Sequence, residues 1–326
     1  MKILAIRFAR LGDVILLLPA LASLKDKFAA SDLTLLTGHR CAPIAELCPA
    51  IDHVIAVDRV AMRDGPPWLA LGEMASLVQN VRRQRFDLVV DFHSFRETNL
   101  LAWLSRAPLR VGMKRQKAPY WGFCFNSSPV DEDKGLHVAA MFQKVVDSLP
   151  SGVTTKASSS TGVLGRVLLE KAESPTVALY VDAPVPERTW PPERFAEVAD
   201  YAIEKLQAAV AVISGKQKAE LAARVRAASR NPDRLSILTE LDIPQLVRSI
   251  GSASLLISND TGPMHIGPAV GVPTLGLFSV GYPEHFRPIG TGDKFLRANP
   301  IQEIRVQAVI EMMEQMWATA DRGLQH

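Results

Sequence analysis

The chain is poor in cysteine and has no apolar run long enough for a bilayer. Its three cysteines, Cys41, Cys48 and Cys124, show none of the paired spacing of metal sites or redox motifs, so reduced, structural thiols are expected. The apolar run near the start, Val14 to Leu18, falls far short of the roughly 20 residues that a membrane-spanning helix needs. Lys2 to Arg7 reads as a strand closed by charged residues rather than as a secretory signal, which predicts a cytoplasmic protein. Several catalytic signatures are missing too. No G-x-G-x-x-G follows the first strand and no Walker A lysine occurs, which argues against dinucleotide oxidoreductases and P-loop enzymes. No serine sits in a G-x-S-x-G elbow. His39, His53, His137, His285 and His326 form no ligand cluster, so no metal site is predicted. Asp131-Glu132-Asp133 has the D-x-D form that can hold a divalent cation on a nucleotide diphosphate, but its charged setting before Lys134-Gly135 reads as a solvated acidic turn. A net charge of +3 is modest, and no nucleic-acid partner is expected.

What is present is a long, well-filled α/β pattern. At 326 residues and 48% hydrophobic content the chain exceeds what one core usually holds, so two domains are predicted. Strand-like runs at Lys2–Arg7, Leu33–Thr37, His53–Asp58, Phe86–Phe92, Arg110–Met113 and Tyr120–Phe125 alternate with helical patterns. The first helix is expected to begin at Asp13 and to carry Val14, Leu17, Leu18, Leu21, Leu24 and Phe28 on its apolar face. Further helices are expected at Ala42–Cys48, Leu69–Arg83, Glu97–Leu104 and Leu136–Leu149. Pro150 to Gly162 is rich in Ser, Thr and Gly, as a flexible connection is. Strands at Thr176–Val181, Ala208–Ser214, Leu235–Leu238, Ser254–Ser258 and Thr274–Phe278 then alternate with four more helices, and a last helix spans Ile301 to Thr319. The prediction is two doubly wound, Rossmann-like units, residues 1–155 and 156–300, followed by a terminal helix over 301–326.

In such sheets ligands bind beyond the carboxyl ends of the strands. The most informative stretch is Ser258 to Gly290, where Asn259-Asp260-Thr261-Gly262 ends an apolar strand and Pro263 opens a short helix that Gly271 closes. Open amides at Met264 and His265, the Thr261 hydroxyl and the His265 imidazole would make a small anion site there, with Gly262 admitting close approach. In Ala183 to Trp190, Arg188 is a candidate phosphate clamp, the alternative being a solvated loop arginine. In the first unit, Asp13 is either an acid satisfying a helix N-terminus or a general base fixed on a rigid element. Arg10 lies in the same loop, and His93 follows a strand as either a site residue or a packed histidine. Arg106, Arg110, Lys114, Arg115 and Lys117 form a run without an acid, read as a grip for acidic groups or a solvated basic face.

Together, LGDVILLLPAL (Leu11–Leu21), NDTGPMHIGPAVGVPTLGLF (Asn259–Phe278), the following Pro283, Pro288 and Gly290, Trp190-Pro191 and Val111-Gly112 resemble the ADP-heptose:lipopolysaccharide heptosyltransferases of glycosyltransferase family 9. That resemblance spans nearly the whole chain. It implies a GT-B fold, two Rossmann-like domains facing a central cleft, with the last helix crossing back toward the first. It implies an inverting, metal-independent transfer that needs no cofactor beyond the ADP-sugar donor. Asp13 would be the catalytic base. Arg188, at a position usually lysine, would bind the donor with Asp260, Thr261, Gly262, Met264 and His265, while Glu220 would hold ribose hydroxyls. Arg10, His93, Arg110, Lys114, Arg115 and Lys117 would face an anionic glycolipid acceptor, the protein being a monomer with peripheral contact at the inner membrane. Three departures stand out: Ala183-Pro184 replaces phosphate-touching hydroxyl residues, Glu220 is offset from the expected acid, and Ser279-Val280 replaces a Gly-Pro pair. They leave two alternatives open, a related transferase with another nucleotide sugar or a protein or other glycan acceptor, and a nucleotide-sugar-binding protein without turnover.

Overall fold

A computed structural model of the chain describes residues 1–58, 67–150, 162–165 and 174–323. The chain divides into two compact units, residues 1–158 and 159–326. The Ser/Thr/Gly-rich connection lies outside the described residues except at Pro150 and Gly162.

The first unit contains β1 (Lys2–Arg7), α1 (Leu11–Ile15), α2 (Leu18–Lys27), β2 (Asp32–Gly38), α3 (Ala42–Glu46), β3 (His53–Val57), α4 (Pro67–Gln84), β4 (Leu88–Asp91), α5 (Arg96–Leu104), β5 (Leu109–Lys114), β6 (Val130–Asp131) and α6 (Val138–Asp147). Its six strands run parallel in the order β3-β2-β1-β4-β5-β6. The second unit contains β7 (Thr176–Tyr180), α7 (Pro192–Glu204), β8 (Ala209–Ile213), α8 (Ala219–Ala228), β9 (Leu235–Leu238), α9 (Ile243–Gly251), β10 (Leu255–Asn259), α10 (Ile266–Val270), β11 (Thr274–Phe278), α11 (Pro283–Phe286), β12 (Lys294–Arg297) and α12 (Val306–Gly323). Its order, β12-β11-β10-β7-β8-β9, is the same winding when counted from its own first strand. Each sheet therefore reverses direction once, between β1 and β4 in the first unit and between β7 and β10 in the second. A doubly wound sheet opens a crevice at the carboxyl ends of such a strand pair.

The strands form where apolar residues run continuously, as burial on both faces requires. Ile3 to Ile6 and Leu255 to Ile257 are fully or almost fully buried. The helices cover these faces. In the second unit Val198, Ala202, Val309 and Met313 all belong to the core, so α12 packs on α7 over the sheet.

Four local expectations change. The helix predicted from Asp13 to Phe28 is two helices, because Pro19 in the first turn of α2 has no N–H to carry the hydrogen-bond ladder across Leu16-Leu17. Tyr120–Phe125 is not a strand. Its aromatic rings pack instead, Tyr120 stacking on Phe125 at 5.2 Å, while the Trp121 amide donates to Asn99 Oδ1 at 3.0 Å. The sixth strand is the acidic segment Val130-Asp131, where Asp131 pairs with Lys114 at 3.7 Å across the sheet edge. Finally, Lys294–Arg297 adds a parallel edge strand to β11 that its short, charge-ended pattern conceals.

Candidate active site

The crevice of the first unit lies between the ends of β1 and β4, and a buried charge occupies it. Arg7 ends β1 at only 5% exposure. It donates to the Phe92 carbonyl, just beyond β4, at 2.9 Å and to Asp13 Oδ1 at 3.1 Å. Its guanidinium also stacks 4.9 Å from the Phe142 ring centre. Burial lowers the Arg7 pKa and the Asp13 charge pushes it back up. Asp13 stands in the first turn of α1, yet its carboxylate does not cap the helix. With 28% of the side chain exposed, it is held from one oxygen by Arg7 while part of the group remains open to solvent. Cys41, whose Sγ donates to the Ala9 carbonyl at 3.4 Å, borders the same loop, and burial followed by the Asp13 charge pushes its thiol up to about 11.

The loop after β4 forms the other wall. Asp91 ends that strand fully buried and accepts from the amides of His93 (3.0 Å) and Ser94 (2.7 Å) and from Asn99 Nδ2 (3.0 Å). These bonds hold Ser94 in the left-handed region at φ 55°. His93 is a packed histidine, edge-on to Phe8 at 5.7 Å and 4.5 Å from the Phe95 ring. Arg115 donates to the His93 carbonyl at 2.9 Å and lies over Phe95. Burial pushes the Asp91 carboxyl up to about 6, against the pull of its donors. A carboxyl whose folded pKa exceeds its unfolded value of ~3.9 stabilises most below pH ~4, and that contribution is lost as pH rises through about 6. Wild type should therefore lose about 2–3 kcal/mol relative to Asp91→Asn between pH 4 and 7, read from urea unfolding at each pH. Parallel stability curves would contradict the assignment.

The basic run does not form one patch. Parallel strands advance about 3.3 Å per residue, so Arg110 near the amino end of β5 and Lys114 at its carboxyl end stand roughly 13 Å apart. Arg110 is spent on the carbonyls of Cys124 (2.8 Å) and Ala107 (2.6 Å), far from the strand ends where ligands bind. Arg110, an acceptor contact implied by the resemblance, is thus held partly exposed near the amino end of β5. Lys114 and Lys117 are exposed near the carboxyl end, and Arg10 is exposed before α1.

In the second unit Arg188 and Asp260 meet at the equivalent crevice. Arg188 follows β7 and Asp260 follows β10, and Arg188 Nη1 lies 3.1 Å from Asp260 Oδ2. Arg188 is about one-third exposed and Asp260 8%, so the guanidinium is the accessible partner. Burial raises the Asp260 pKa and Arg188 lowers it. The carboxylate fits because residue 281 is glycine; a Cβ there would come within 2.1 Å of Asp260 Oδ2. Asn259 braces the crevice from inside, donating through Nδ2 to the Val181 carbonyl at 2.9 Å and accepting the Trp190 amide at 3.1 Å. Ser279, read as a departure, donates to the Glu187 carbonyl and so fixes the loop that carries Arg188.

The turn after Asp260 differs in one respect from the predicted anion site. Thr261 and Gly262 are half-buried at the surface of the crevice, but the Met264 amide donates to the Thr261 carbonyl at 3.2 Å and its side chain is fully buried. Met264 is core, and its amide closes the turn. His265 is buried one residue further on, and Gly271 ends α10 with φ 82°, as predicted from its place. Glu220 is exposed on the first turn of α8. The acid seated at the strand ends is Asp182, 3.4 Å from the Gly215 amide and 3.3 Å from Lys218, whose ammonium also donates to the Ala183 carbonyl. Asp182, Lys218 and Arg7 escaped the sequence reading. Arg7 had a signal, a cation ending an otherwise apolar, buried strand.

The model of glycosyltransferase family 9 (heptosyltransferase) matches residues 74–313. The chain belongs to glycosyltransferase family 9. It is a heptosyltransferase-like glycosyltransferase with the GT-B fold. Among family relatives, lipopolysaccharide heptosyltransferase 2 of Salmonella typhimurium is 22% identical over 91% of this chain and 88% of its own length. A Haemophilus influenzae protein named only provisionally, as a glycosyltransferase, is 26% identical over 92% and 89%. The solved structure of E. coli heptosyltransferase WaaC with ADP superposes with a TM-score of 0.85, covering 97% of this chain and 100% of that one at 18% identity. Asp13 and the Arg188–Asp260 pair thus occupy the two switch-point crevices of a family 9 fold.

Proposed function

We propose that the protein transfers heptose from an ADP-heptose donor to an acidic inner-core acceptor of lipopolysaccharide, inverting the anomeric centre. The observation that carries this reading is Asp13, ion-paired through one oxygen to buried Arg7 and partly open at a sheet switch point. Asp13 takes the proton of the acceptor hydroxyl as that oxygen attacks the anomeric carbon, and ADP departs with the bonding pair. In the other unit Arg188 meets the charge that grows on the departing diphosphate, so no metal is assigned to the step. Asp260, buried behind Arg188, orients the guanidinium. The heptosyltransferase names of the relatives and the ADP in the WaaC title support the donor assignment.

Replacing Arg188 by Ala should lower kcat/KM for the donor by about 10- to 100-fold, the worth of one charge-assisted hydrogen bond, and Arg188→Lys should recover part of it. Unchanged donor kinetics in the alanine variant would remove Arg188 from the donor site.

A related transferase with a different nucleotide sugar is the second reading, favoured by the exposed, offset Glu220 and by Lys218 on the Ala183 carbonyl. Thermal-shift measurements with ADP, UDP, GDP and their sugars separate the two, since a ligand of the folded state raises its apparent stability. Stabilisation by ADP and ADP-heptose is expected; a response to UDP-sugars alone would overturn the heptose assignment.

A further inference from the structure

We infer that Arg7 is the positioning residue of the reaction: it holds Asp13 by one oxygen and ties it to the strand β4 wall. The inference rests on Asp13 being the base, and its test separates failure of the two.

A guanidinium is poorly hydrated but still costs several kcal/mol to bury, so a buried arginine is retained only where its donors are used. The donors of Arg7 reach two places far apart in sequence: the Phe92 carbonyl, at 2.9 Å, and Asp13, at 3.1 Å. The Phe142 ring closes one face of the guanidinium plane. This geometry does two things. It fixes the rotation of Asp13 on a one-turn helix that has no side-chain cap at its start. It occupies Oδ1 and leaves Oδ2 for a hydroxyl. Because the Phe92 carbonyl belongs to the loop that Asp91 braces, the position of the base is referenced to both strands of the crevice.

Elements packed against or adjoining α1 carry other ionisable groups: His39, Arg40 and Cys41 on the turn before α3, Glu46 on α3 and Arg10 on the loop before α1, while Asp91 and His93 lie at and just beyond the end of β4 and Arg115 after β5. Asp91 and Arg115 act on Arg7 with opposite sign, and the Asp13 charge acts on Cys41. Among the described residues, Arg7 is the cation in contact with Asp13.

Arg7→Met keeps the length and apolar stem of the side chain and removes the charge. Its kcat should fall about 10- to 100-fold while donor KM stays within about twofold. Arg7→Lys should recover part of the loss, since an ammonium supplies a donor without the two-way fork. Each variant is checked for folding by urea unfolding and by its stabilisation with ADP. If Asp13→Asn turns over like wild type, the base assignment fails. If Asp13→Asn is inactive but folded Arg7→Met keeps the wild-type kcat, the positioning role alone is overturned. Should Arg7→Met not fold, Arg7→Lys decides: wild-type kcat in the folded lysine variant contradicts the need for the two-way fork.

Discussion

Asp13→Asn is expected to lower kcat by about 10²- to 10⁴-fold, the range contributed by a general base, with little change in ADP affinity. The substitution is nearly isosteric, and an amide can still accept from Arg7 through its oxygen, so the geometry in which Asp13 Oδ1 sits 3.1 Å from the guanidinium is preserved. What is lost is the proton-accepting charge. Arg7 then remains buried without a counter-ion, so a stability loss of about 1–3 kcal/mol accompanies the catalytic one. Arg188 and Asp260, the proposed donor contacts, belong to the other unit, so thermal stabilisation by ADP is expected to persist. Initial rates at saturating donor and acceptor measure the effect. Wild-type turnover in a folded Asp13→Asn protein would remove the carboxylate from the mechanism.

Trp190→Ala should destabilise the protein by about 3–5 kcal/mol, a large share of the ~5–15 kcal/mol that holds a domain folded. Trp190 is fully buried, packs edge-on to Phe195 at 4.9 Å and donates through Nε1 to the Ile304 carbonyl at 3.1 Å. Its amide donates to Asn259 Oδ1, which links the segment carrying Arg188 to the end of β10. Removing the ring empties a core site between α7 and the segment leading into α12. Trp190→Phe should cost far less, because the aromatic contact survives and the Ile304 carbonyl retains Arg194 Nη1 as a donor at 2.9 Å. Urea midpoints of the two variants test the contrast; equal midpoints would mean that the ring is not the anchor. In the sequence this tryptophan reads only as a weak family match beside Pro191. In the folded chain it ties the segment that carries Arg188 to the end of β10.

The fold was legible because its signals are local. Continuous apolar runs such as Leu4 to Ile6 and Leu255 to Ile257 can be buried on two faces only in a parallel sheet with helices between the strands. The misreadings have local causes as well. Tyr120 to Phe125 has strand composition, but its aromatics find better partners in each other and in α5 than in a ladder. Lys294–Arg297 is a short, half-buried edge strand, whose pattern hardly differs from that of a loop.

Asp13, Arg188 and Asp260 could be nominated without coordinates, since each follows a predicted strand and carries chemistry suited to a strand-end crevice. Their partners could not. Arg7 meets Phe92 across 85 residues, and Arg188 meets Asp260 only because β7 and β10 lie side by side. Strand order decides such pairs, and no local pattern encodes strand order. The basic run shows the converse: Arg110 and Lys114 are close in sequence, yet an extended strand carries them to opposite ends of β5. The sequence by itself determined most of the elements and the family, and it nominated candidate reactive groups, because periodicity and motif spacing are properties of the chain. Only the tertiary structure decided which charges are buried, which are paired and which remain open, because burial and pairing depend on contacts between segments far apart along it.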